Sequence, residues 1–129
     1  MEQMLFLYWR YIRGFCCRHG VRDVQVDRMT IKEARILFTS LIIQLIADMI
    51  EKGFHPCVGK DGLKHMKNSL HYEGLAMDID LYDADGNYLS KTEDHAEFGY
   101  YWKTLHPLCA WGGDFKDGNH YSLSWGGRK

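Results

Sequence analysis

A complete set of helix signals runs over residues 30–52, and any fold of this chain must accommodate that helix. Thr30 and Glu33 form a capping-box pair, which satisfies backbone N–H groups at a helix start. Gly53 follows the last turn, where glycine commonly ends a helix. The apolar residues between them recur with the i, i+3, i+4 rhythm of a buried face: Ala34, Leu37, Phe38, Leu41, Ile42, Leu45, Ile46 and Met49.

Shorter strand, turn and helix signals fill the rest of the chain. Residues 75–82 alternate between apolar and polar side chains, which predicts a strand with Asp78 and Asp80 on its polar face. Thr92 is the expected N-cap of a second helix that ends near His106, before Pro107. Strands are also expected at 54–58 and 120–125, and turns at 83–87 and 111–113. The mixture predicts an α+β fold, a single domain with helices packed on a small antiparallel sheet.

Length and composition suit one globular domain. The chain has 129 residues, of which 46% are hydrophobic. Its formal net charge of -1 gives no strong field for nucleic acid, and the apolar stretch near the N-terminus is too short for membrane insertion. We expect residues 1–28 to form a loosely attached extension and 29–129 to form the domain. The four cysteines suggest reduced thiols in a cytoplasmically made protein. We also expect a monomer.

Two segments carry residues suited to metal chemistry. The first contains His71 and Asp78, seven residues apart, with Gly74 allowing a turn between them. A carboxylate in an otherwise apolar strand needs a partner. A divalent metal and a structural salt bridge both meet that need, and this segment alone does not separate them.

The second segment contains Asp117 and His120. Alternation places His120, Ser122 and Ser124 on one polar face of the last predicted strand. Two imidazoles and one carboxylate leave a fourth position open, as in catalytic zinc sites. Zinc lowers the pKa of water that it binds toward about 7, and a carboxylate on a nearby turn, such as Asp117, can accept the proton. The chain has no HExxH helix, which excludes the common helical metalloprotease site.

These segments resemble the motifs of a known family. The stretch SLHYEGLAMD at 69–78 is similar to the S-x-H-x-x-G-x-A-x-D motif of zinc D-alanyl-D-alanine carboxypeptidases and L-alanyl-D-glutamate peptidases. DGNH at 117–120 resembles the family's second motif, and WGGDF at 111–115 is similar to its phage endolysin members. The resemblance covers roughly residues 31–129.

The resemblance implies Zn²⁺ held by His71, Asp78 and His120, with Asp117 as catalytic base. It further implies hydrolysis of a peptidoglycan stem peptide at a bond involving a D-amino acid, most simply by an endolysin-like L-alanyl-D-glutamate endopeptidase. Such a protein stays in the cytoplasm until lysis and then acts on the cell wall.

One departure concerns substrate binding. Family members often carry an arginine upstream of the first motif, whereas no arginine lies between Arg35 and Arg128 here. Lys60 or Lys64 would supply a point charge in its place. Two more residues are candidates for substrate contact: Ser69, which can instead orient its loop, and His95.

Two alternative functions remain open at this stage. One is a D-alanyl-D-alanine carboxypeptidase or dipeptidase that works on wall fragments. The other is a binding protein of the same fold with weak catalysis. A partial calcium-loop pattern at 83–94 has its glycine at position 4 instead of 6 and no helix before it, so we expect an ordinary turn followed by a helix cap.

Overall fold

The computed structural model describes residues 29–59 and 65–129. The predicted extension 1–28 and the two lysines Lys60 and Lys64 lie outside this part of the chain. The described residues form an α+β fold with two α-helices and five antiparallel strands. In chain order the elements are α1 (Ile31–Glu51), β1 (His55–Val58), β2 (Ala76–Tyr82), β3 (Tyr88–Leu89), α2 (Ala96–Leu105), β4 (Cys109–Trp111) and β5 (His120–Leu123).

The predicted first helix is confirmed as α1. The Thr30 hydroxyl accepts the Glu33 N–H at 3.3 Å, and the Glu33 carboxylate accepts the Thr30 N–H at 2.8 Å. Gly53 follows the helix with a φ of +88°, a value that glycine adopts without strain. Six of the eight predicted face residues are buried, whereas Leu37 and Ile46 are only partly buried.

The sheet has the strand order β1-β2-β5-β4, and the short β3 pairs with β2. Both helices contribute to the core against one face of this sheet. Trp102 of α2 makes edge-to-face contacts with Phe38 of α1 and Tyr121 of β5, at centroid distances of 6.0 and 6.2 Å. Ile79, Leu81 and Leu123 complete this face from β2 and β5. The polar residues that alternate with them on β2 and β5 therefore lie on the other face.

Three local predictions are wrong. The N-cap of the second helical segment is Lys91, not Thr92. The N–H of Lys91 donates to the Asp94 carboxylate at 3.1 Å. The turn expected at 111–113 is instead the end of β4 followed by a 3₁₀ turn over Gly112–Phe115. The last strand ends at Leu123 because the Ser124 N–H turns to the Leu108 carbonyl, at 2.8 Å.

The turn at 83–87 forms as predicted. Asp83 accepts the N–H groups of Asp85 and Asn87 at 3.0 and 2.8 Å, and the Asn87 side-chain amide at 2.9 Å. These bonds form the ordinary turn that we expect where the partial calcium-loop pattern begins. Among the described residues, neither helix is long and apolar enough to cross a membrane.

Candidate metal centre

Strand pairing brings two of the predicted ligands together. In the antiparallel β2–β5 pair, Asp78 lies directly opposite His120. Residues directly opposite each other project from the same face of a sheet. Oδ1 of Asp78 consequently lies 3.0 Å from Nδ1 of His120.

The third predicted ligand, His71, enters from the loop before β2. Its Nε2 lies 3.1 Å from Nδ1 of His120 and 3.3 Å from Oδ1 of Asp78. Two buried leucines anchor this loop: the Leu75 N–H donates to the Leu70 carbonyl at 3.0 Å. Gly74 completes the turn with a φ of +69°. The sequence-predicted ligand set is therefore assembled at one point.

The geometry of these three atoms fits zinc. Ligand atoms in a tetrahedral site with bonds of about 2.0–2.1 Å lie about 3.3 Å apart, and the separations here are 3.0, 3.1 and 3.3 Å. The rings of His71 and His120 are inclined at 62°, so their planes intersect. Two imidazoles and one carboxylate are also the donor types that zinc prefers.

His65 lies beside this cluster and was not identified from the sequence. A ring nitrogen of His65, one of His71 and a carboxylate oxygen of Asp78 lie within 4.8 Å of one another, so these three could also be considered as metal ligands. However, the His65 and His71 rings are stacked, with centroids 3.9 Å apart and planes only 5° apart. A ligating nitrogen points at its metal within the ring plane, and two parallel planes do not converge on one ion. The stacking therefore argues against His65 and His71 as ligands of one ion, and His71, Asp78 and His120 are the candidate set that remains.

No sequence pattern would have selected His65. It lies six residues before His71, outside both motifs. Its position is fixed by tertiary contacts, including an edge-on contact with Tyr72 at 5.7 Å and a bond from the Tyr72 hydroxyl to its carbonyl at 3.1 Å.

The Asp78 carboxyl is held in its ionised form. Its partial burial opposes ionisation, but the hydrogen bond with His120 and the neighbouring charges of His71, His120 and His65 outweigh that cost. The pKa of Asp78 therefore lies below its ordinary value. An ionised carboxylate is the form that binds a cation.

A cavity of about 420 Å³ opens onto the ligands, and Asp117 lines it. Asp117 is exposed, on the turn before β5. Its carbonyl accepts the His120 N–H at 3.2 Å, and its N–H donates to the Gly112 carbonyl at 2.9 Å. A Cβ on Gly112 would lie 2.2 Å from the Asp117 carbonyl oxygen, so glycine is needed for this close approach. The turn thus holds the Asp117 carboxylate and the candidate ligand His120 at one cavity.

Ser69 and His95, the two predicted substrate contacts that the structure describes, lie in different environments. Ser69 lines the cavity, and its hydroxyl accepts the His71 N–H at 3.3 Å, so it orients the ligand loop. His95 is corrected to a core residue that is only 2% exposed. Its Nε2–H donates to the Leu89 carbonyl and its Nδ1 lies against the Tyr121 hydroxyl, both at 3.2 Å. Because both ring nitrogens of His95 have partners in the core, neither is available for a substrate in the cavity.

The C-terminal end of the chain adds cations to the cavity wall. Arg128 and Lys129 both line the cavity. Sequence reasoning looked for a cation upstream of His71 and so missed them.

Comparison with known protein families finds no match to this chain, and comparison with curated proteins finds none either. Functional inference therefore depends on the arrangement of residues in the cavity and on the two motifs.

Proposed function

We propose that this protein is a zinc-dependent peptidase that hydrolyses peptidoglycan stem peptides at a bond involving a D-amino acid. The specific form proposed is an endolysin-like L-alanyl-D-glutamate endopeptidase. One observation carries the proposal: Nε2 of His71, Oδ1 of Asp78 and Nδ1 of His120 converge within 3.3 Å at the wall of an open cavity.

Each residue of the centre has a proposed role. His71, Asp78 and His120 would hold Zn²⁺, which when bound lowers the pKa of water and polarises a carbonyl group. Asp117, exposed at the same cavity, would accept the proton as general base and return it to the departing amine. Ser69 keeps the His71 backbone in place through its hydroxyl.

The substrate class is proposed from the paired motifs. SLHYEGLAMD and DGNH resemble those of peptidases that cut peptides containing D-amino acids, in the same order along the chain. A cavity of about 420 Å³ that is open to solvent can admit a short peptide segment. The proposed partner is therefore a peptidoglycan peptide, reached from the cytoplasm once lysis opens the membrane.

Digestion of purified sacculi by the zinc-loaded full chain tests this proposal. Mass spectrometry of the released muropeptides should show cleavage between L-alanine and D-glutamate, with new amino termini in equal amount. A chelator should abolish the release and added Zn²⁺ should restore it. His120→Ala, which removes one bond to the metal, is the matched inactive control.

The same experiment separates the other functions. Free D-alanine as the only product would identify a carboxypeptidase or dipeptidase. Tight zinc binding with no change in any muropeptide would identify a binding protein and contradict the proposed peptidase.

A further inference from the structure

Two arginines from distant parts of the chain bond the loop that carries His71. Nε of Arg35, on α1, donates to the Glu73 carbonyl at 2.6 Å. Nη1 of Arg128 donates to the Asn68 carbonyl at 3.1 Å, and its Nη2 lies 3.5 Å from the Glu73 carboxylate. The bonded groups lie on both sides of His71, so the two side chains hold the loop from either end.

A turn at residues 125–128 places Arg128 at this loop. Gly126 and Gly127 have φ values of +59° and +74°, the left-handed conformation that a tight two-residue turn requires. Trp125 and Arg128 exchange two backbone hydrogen bonds, each of 3.1 Å. The Trp125 indole donates to the Met29 carbonyl at 3.3 Å, and the Arg128 guanidinium lies 5.5 Å over the indole ring.

We infer that Arg128, together with Arg35, is a positioning residue that fixes His71 for metal binding. The guanidinium is a rigid planar fork that can bind two acceptors at once, which a lysine cannot do in the same way. Here one fork joins a backbone carbonyl before His71 to a carboxylate after it. Groups that orient a metal ligand typically change metal affinity by about 10–100-fold when they are removed. This inference rests on the proposed function only in taking His71 as a ligand.

Zinc affinity of the full chain, measured by chelator competition, tests the inference. Arg128→Ala should weaken zinc binding by about 10–100-fold, and Arg128→Lys should give a smaller loss because one contact can be kept. Lys129→Ala is the matched control, since it removes a cation from the same cavity wall without removing a loop bond seen in the described residues. Equal losses in Arg128→Ala and Lys129→Ala would overturn the inference in favour of a general charge effect.

Hydrogen exchange of the zinc-free proteins supplies a second measurement that needs no metal. The loop's own bonds include the Glu73 N–H to the Leu70 carbonyl and the Gly74 N–H to the His71 carbonyl, both 3.1 Å. These amides should exchange faster in Arg128→Ala than in the wild type, and at the wild-type rate in Lys129→Ala. Unchanged exchange would overturn the inference, as would faster exchange with unchanged zinc affinity. A wild-type chain that binds no zinc would instead contradict the proposed function, and the exchange rates would still decide whether Arg128 orders the loop.

Discussion

Asp78 and Asp117 are carboxylates at one cavity, but their surroundings suit them to different tasks. Asp78 lies on a strand between two imidazoles, and its pKa lies below the ordinary value because the charges and hydrogen bond of those imidazoles outweigh its burial. Asp117 is exposed on a turn and lines the same cavity. The first environment suits the proposed metal ligand, and the second suits the proposed general base, which must be open to substrate.

Replacing Asp117 with asparagine therefore should separate metal binding from catalysis. Asp117→Asn keeps the size of the side chain but removes the proton acceptor, so zinc content should stay at the wild-type level. The cleavage rate should fall by about 10²–10⁴-fold, the usual cost of losing a general base. Metal analysis and a cleavage assay on the same sample check both parts. Loss of zinc would make Asp117 a ligand, and full activity would move the base to another residue.

A pH dependence of stability follows from His95. Burial lowers the pKa of His95 and also that of His106, so both remain neutral in the folded chain at pH values where they are protonated in the unfolded chain. The unfolded state thus binds more protons as the pH falls below about 6.5, the ordinary histidine pKa, and the folded state loses stability.

Urea unfolding of the zinc-free protein between pH 7.5 and pH 5 measures this effect. The free energy of unfolding should be nearly constant above pH 7 and should decrease steadily toward pH 5. His106→Asn should reduce the slope, leaving the contribution of His95. A stability that rises as the pH falls would show that these imidazoles are protonated in the folded state.

At the scale of elements, a glycine allows α2 to pack closely against β4. Gly99 lies in the middle of α2, and a Cβ there would meet the Trp111 indole at 2.1 Å. The same indole donates to the Gly118 carbonyl at 2.8 Å, in the loop that leads to His120. The contact between helix and indole therefore supports the segment that carries both Asp117 and the proposed metal ligand His120.

Gly99→Ala should consequently destabilise the protein, although alanine favours helix formation more than glycine does. Overpacking of this kind typically costs about 1–3 kcal/mol. Thr104→Ala is a matched control because it creates the same residue at an exposed position of α2, where changes usually stay within about 0.5 kcal/mol. Urea denaturation of both variants checks the difference. A Gly99→Ala protein as stable as the wild type would mean that the indole moves aside without cost.

The sequence predicts elements well where local signals agree. The capping box, apolar rhythm and glycine of α1 all act within the helix itself, and its bounds were predicted to within about one residue. β4 has only three residues and precedes two glycines, so its local signal is that of a turn. It becomes a strand because β5 supplies its hydrogen-bond partners, from Leu123 to Tyr121. Pairing of this kind is a tertiary effect that local patterns do not contain.

At the scale of the whole molecule, the site also depends partly on local patterns and partly on tertiary contacts. Alternation along β2 and β5 placed Asp78 and His120 on polar faces, and the antiparallel register then sets them opposite each other. A slip of one residue would move every side chain of β5 to the other face, so the register is what brings these two proposed ligands together. The stacking of His65 on His71 and the approach of Arg128 to the loop depend on three-dimensional packing across the chain. No residue spacing could predict either contact.

Titration of the metal-free chain with Zn²⁺, followed by release of new amino termini from peptidoglycan, tests the central claim most directly. Activity should rise in proportion to added zinc and level off at one zinc per chain, because the proposed ligands His71, Asp78 and His120 would hold a single ion. His120→Ala should neither reach that plateau nor retain the metal. Cleavage that is independent of zinc, or saturation with zinc that yields no cleavage, would contradict the account of this protein as a zinc peptidase.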